Sequence, residues 1–180
     1  MRAASSVLLA VLLLNVTAGA AHANRTLTLT STFEGRTATA TLVVPDDWKG
    51  AAKGDHVKVA APSSRRRCDH VLYLRLGLLY VASTVTATQW VTSRLSREGA
   101  VADRGDRADG SSWGVATREK QRTSLGYGAL VAGTGRLGRI MAEVRATSGL
   151  TAGCAASQAR AAAKRLTRVV RDVSLQAAKA

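Results

Sequence analysis

Residues 129–146 read ALVAGTGRLGRIMAEVRA, and two folds compete for them. Gly133, Gly135 and Gly138 have the G-x-G-x-x-G spacing, with an apolar run in front. Followed by a helix, these glycines would let a dinucleotide pyrophosphate approach the backbone at a helix N-terminus, inside a parallel α/β fold. Followed by a strand, they are the turn of a β-hairpin. Three facts favour the hairpin. The motif opens 48 residues before the end of the sequence, too few for the rest of a doubly wound sheet. No acid lies about 20 residues on to hold a ribose, since the next after Glu143 is Asp172. The export leader expected at the N-terminus would also take the chain away from nicotinamide cofactors. Nucleotide binding at Gly133–Gly138 stands as a minor alternative, and no cofactor is expected.

The same alternation organises the neighbouring segments. Ile140, Ala142, Val144 and Ala146 share one face of a strand, with Arg139, Glu143 and Arg145 on the other. Thr147, Ser148 and Gly149 are expected to end it. Residues 113–118 and 124–131 read as two more strands, and residues 99–112 as a polar loop. Residues 71–82 (VLYLRLGLLYVA) are the most apolar stretch and suit a central strand covered on both faces. Upstream, residues 25–33 alternate Leu27, Leu29 and Phe33 with threonines, and residues 37–44 alternate again. With Glu34-Gly35-Arg36 between them, they predict a hairpin. Residues 45–50 are a turn cluster, and Val57 to Val59 form a short edge strand. Ser83 is the expected cap of a helix over 84–97, with Ala87, Trp90, Val91 and Leu95 on one face.

Residues 154–177 carry a helical pattern. Ala159, Ala163, Leu166, Val170 and Val173 make an apolar stripe, and Arg160, Lys164, Arg168 and Arg171 a basic one beside it. The fold class that results is α+β. An antiparallel sheet of about five to six strands has this C-terminal amphipathic helix packed on one face, with a second, shorter helix.

The length of 180 residues fits one domain behind the leader. Apolar residues make up 46% and aromatics only 4%, which excludes a collagen, a coiled coil and a polytopic membrane protein. The leader is residues 1–23. Arg2, the apolar run VLLAVLLLNV over 7–16 and Ala21-His22-Ala23 form a secretory signal peptide, too short to span a bilayer. The domain is then residues 24–180, secreted or held in the periplasm or envelope. In an oxidising compartment Cys68 and Cys154, the only cysteines, are expected to pair. The alternative is a hydrolase or thiol enzyme around Cys68 and His70, because Arg65, Arg66 and Arg67 would lower the thiol pKa.

Other motifs are weak. Arg104-Gly105-Asp106 is an RGD tripeptide in a charged stretch. Asp103, Asp106 and Asp109 are spaced by three, unlike a calcium loop, and arginines interrupt them, so no metal site is expected. Neither H-E-x-x-H nor S-x-x-K occurs, so no catalytic residue is assigned. The formal net charge of +14 is the leading functional signal. Arg65, Arg66, Arg67, Arg160, Lys164, Arg168 and Arg171 are candidate anion-binding residues, for an anionic polymer or a membrane surface. Nucleic acid is disfavoured, because stacking aromatics are scarce.

Val43-Val44-Pro45-Asp46-Asp47-Trp48, after a hairpin and before a helix, more strands and a last helix, resembles the opening of PsbP-like domains. The resemblance implies a small α+β accessory module, often exported and mostly non-enzymatic. The chain is also similar to small secreted actinobacterial proteins with no assigned role. The PsbP-like resemblance implies an accessory or binding protein and not an enzyme, and neither likeness supplies a functional residue.

Overall fold

The computed structural model describes residues 24–61, 70–118, 123–150, 154 and 156–179. The expected leader over residues 1–23, Arg65, Arg66, Arg67 and Cys68 lie outside the described residues.

The chain is α+β, with antiparallel strands and two helices. Strands β1 (Asn24–Phe33) and β2 (Arg36–Pro45) form the hairpin that the alternation predicts. Its tight turn places Glu34 and Gly35 at positive φ, 47° and 66°. Strands β3 (Ala52–Lys53), β4 (His56–Ala61) and β5 (His70–Val81) follow, then helix α1 (Ala87–Leu95). Next come β6 (Ala100–Asp106), β7 (Ser112–Arg118), β8 (Thr123–Gly135) and β9 (Gly138–Leu150). Helix α2 (Ala156–Asp172) and strand β10 (Ser174–Lys179) close the order.

These strands build two sheets, not one of five or six. The larger has seven strands in the order β3-β4-β5-β9-β8-β7-β6, and the smaller three in the order β1-β2-β10. The extra strands come from segments whose composition hid them. Residues 99–112, expected to be a loop, contain β6, an exposed edge strand paired to β7 with a register shift between Val101 and Asp103. Charged residues and a bulge are common guards of a sheet edge, so polarity here marks an edge and not a loop. The C-terminus differs in the same way: the helix stops at Asp172, and Ser174–Lys179 pairs with β2. Leu175 points inward from β10 and is buried.

Other expectations need correction. Thr147, Ser148 and Gly149 do not end β9, which runs on to Leu150 opposite His70. Strand β4 is not an edge, because β3 lies outside it. The first half of β5 is covered on one face only: Leu72, Leu74 and Leu76 are buried, while Tyr73 is 41% exposed. The cap of α1 is Thr86, not Ser83. Its hydroxyl accepts from the Gln89 N–H at 3.2 Å, while the Gln89 side chain accepts from the Thr86 N–H at 2.9 Å. This reciprocal box satisfies two N–H groups that a lone serine would leave partly open.

The core lies between the layers. Leu29, Leu42 and Leu175 of the small sheet meet Leu72, Leu74, Ile140 and Val144 of the large one, with Leu166 and Val170 of α2 in the same cluster. Helix α1 covers the opposite face near β7 and β8, with Val91, Leu95, Tyr127 and Met141. Glycines set how closely the helices approach. A Cβ at Gly126 would lie 2.5 Å from Val170 Cγ2, and one at Gly114 would run into Leu95.

Candidate functional site

Helix α2 is rich in alanine and holds no Gly or Pro, a composition that favours helix. Its inner face is Ala162, Leu166 and Val170, all buried. Arg160, Lys164, Arg165, Arg168 and Arg171 are exposed on the other side, and Asp172 is the one acid in the helix. Arg171 pairs with that acid, Nε to Oδ1 at 2.9 Å. Arg160, Lys164 and Arg168 repeat every fourth residue, an arrangement that repels and destabilises a helix slightly. The C-terminal carbonyls are held by Arg107, whose Nη2 donates to Val170 O at 2.8 Å and Arg171 O at 2.7 Å. A cation at this end also suits the helix dipole.

Between α2 and the end of the hairpin lies a cleft of about 560 Å³, lined by Val43, Asp47, Trp48, Arg165, Arg168 and Asp172 among others. Arg25 anchors its wall, donating from Nη2 to Trp48 O at 2.5 Å and Gly50 O at 2.7 Å. The Trp48 ring stands edge-on to the His70 ring at 5.6 Å. Sequence patterning finds Arg168 but misses Arg165 and Trp48, because the cleft joins segments over a hundred residues apart. A tryptophan in a polar turn, Asp46-Asp47-Trp48-Lys49, was the available signal.

The nucleotide alternative is corrected: β9 begins at Gly138, so no helix N-terminus faces Gly133 or Gly135. Arg104-Gly105-Asp106 lies in β6, and the Asp106 carboxylate accepts from Ser112 at 2.5 Å and Thr88 at 2.9 Å. Among the described residues, no group of His, Cys, Asp and Glu is arranged for a metal ion. One catalytic spacing is present in the chain: Gly110-Ser111-Ser112-Trp113-Gly114 fits G-x-S-x-G. It opens an antiparallel strand instead of a strand–helix elbow, and Ser112 is buried.

His70 is buried at 7% exposure, with Nε2 2.6 Å from Ser148 Oγ. Its Nδ1 has no hydrogen-bond partner among the described residues. Ser148 is buried too, so this serine–histidine contact is closed to substrate. Burial, and then the nearby Arg165 charge, depress the imidazole pKa from 6.5 to about 4. Cys154 is buried and is not a free thiol. Its expected partner Cys68 lies outside the described residues.

The depressed pKa gives a sign. Between pH 6.5 and 4 the unfolded chain binds a proton that folded His70 refuses, so stability falls as acid is added. The full effect is about 3 kcal/mol, at roughly 1.4 kcal/mol for each pH unit of displacement. Urea unfolding of the parent and of His70→Phe from pH 7.5 to 4 checks it. The variant should lose that part of the slope, and parallel curves would refute the assignment.

No family model, curated protein or solved structure matches this chain in comparison searches. Among the described residues, no helix is long and apolar enough to cross a membrane.

Proposed function

We propose that this is an exported, non-catalytic accessory or binding protein of the envelope or extracellular space, which docks on anionic polymers through the outer face of α2. One observation carries the reading: five exposed cations on one helix, against a single acid. Guanidinium groups match carboxylate and phosphate with paired hydrogen bonds. A bound polyanion would also relieve the repulsion among Arg160, Lys164 and Arg168. Loss of the leader and a Cys68–Cys154 bridge belong to the same proposal. Its reading as a PsbP-like accessory module rests on the hairpin that leads into Val43–Trp48, while strand β10 after α2 departs from an order that ends on a helix.

Retention on a carboxylated and a phosphorylated resin tests the docking. Binding should weaken steeply with salt. The Arg160→Gln, Lys164→Gln, Arg168→Gln triple variant should lower the log–log salt slope by about 2, from roughly 0.7–0.9 per cation. A control triple at Lys53, Lys58 and Arg97, exposed elsewhere, carries the same net charge. If both triples elute together below the parent, net charge and not this face explains retention. Salt-independent retention, or none, overturns the reading.

A further inference from the structure

The three-stranded sheet has a second face, turned away from the core. Leu27, Leu29, Ala38, Ala40 and Leu175 point inward and are buried or nearly so. The residues between them point outward, and the strand register arranges them in rows. Thr28, Thr41 and Ser174 stand side by side, then Thr30, Thr39 and Gln176, then Thr32, Thr37 and Ala178. Thr26 opposite Val43 completes the face. The chain has 26 Lys and Arg and 12 Asp and Glu, yet none occupies these positions. Thr32 and Thr37 hydroxyls lie 3.4 Å apart. Among the described residues, the hydroxyls of Thr28, Thr30, Thr39 and Thr41 are bonded to no other side chain.

Rows repeat at roughly 4.8 Å across strands and about 6.8 Å along them. Each hydroxyl both donates and accepts. The edges of this sheet are partly occupied, since Thr30 N–H donates to Gly54 O at 2.9 Å, so the face and not the edge is what β1 offers. The face also joins the basic helix. Strand β2 runs past the start of β10, and at that overhang Val43 shares the cleft with Trp48, Arg165 and Arg168, and with Asp47 and Asp172, the latter paired to Arg171.

We infer that the ligand is an acidic polysaccharide, its hydroxyls against the threonine rows and its carboxylates at Arg165 and Arg168. The charged half of this inference rests on the docking proposed for α2. A lipid surface would be met by inserted apolar groups, and single-stranded nucleic acid by stacking aromatics. The face has neither beyond Val43.

The test measures affinity of the full exported chain for polygalacturonate, for duplex DNA and for phosphatidylglycerol vesicles. The variant Thr30→Val, Thr39→Val, Thr41→Val keeps β-branched shape and removes three hydroxyls. It should lose about tenfold or more on polygalacturonate, as three lost hydrogen bonds imply, and change less than about twofold on DNA and vesicles. The corresponding serine variant should keep polygalacturonate affinity. Equal affinity of the valine variant and the parent for polygalacturonate overturns the inference and leaves the α2 reading intact. Tighter parent binding to DNA or vesicles than to polygalacturonate also overturns it. No parent binding to any of the three removes both.

Discussion

Reducing the proposed Cys68–Cys154 bridge is expected to lower stability by about 4–5 kcal/mol, the chain-entropy value for a loop of 86 residues. The loss matters because the core has little to spare. Seven aromatic residues serve the whole chain, three Trp, three Tyr and one Phe, and aromatics bury the most area per residue. Cys154 is buried just before α2, and Cys68 precedes β5 by two residues. A bridge between them would tie the start of the basic helix to a middle strand of the large sheet. Urea unfolding with and without reductant, and of Cys154→Ser, measures the change. The midpoint should fall in both, and a midpoint unmoved by reductant would remove the bridge from the account.

Truncating Leu166 to alanine should cost about 3 kcal/mol, within the 2–5 kcal/mol found for buried leucines. Leu166 is 1% exposed, near the middle of the inner face of α2. The strands below it cannot close the gap, because they are held on both sides in the seven-stranded ladder. Arg168→Ala, two residues on and exposed, should change stability by no more than about 0.5 kcal/mol. Unfolding curves of the two variants separate anchoring from docking. A near-neutral Leu166→Ala would mean that α2 is not held by its apolar face.

Period-two patterning located β1, β2 and β9, since one buried face imposes alternation on a strand whatever its partner, and a long apolar run located β5. The choice between hairpin and dinucleotide loop at Gly133–Gly138 was also legible, from the alternation after Gly138 and the missing downstream acid. Strand β6 was not, because an edge strand exposed along its length buries nothing and reads as a loop. Nor was β10. Ser174–Lys179 follows a strong helical pattern without a Gly or Pro to mark the break, and its reason to be a strand is the open edge of β2.

The site divides along the same line. Arg160, Lys164, Arg168 and Arg171 fall on one side of a helix by spacing alone. That Arg165 and Trp48 face one cleft depends on which end of the hairpin α2 lies against.

Alternation, helical period and charge are local properties of the chain, so they determined by themselves the hairpins, the basic amphipathic helix and the α+β class. Which edges pair, how many sheets form and what neighbours the arginines depend on contacts between distant segments. Those the tertiary structure alone decided, because an unpaired β2 edge and an uncovered sheet face exist only once the strands have assembled.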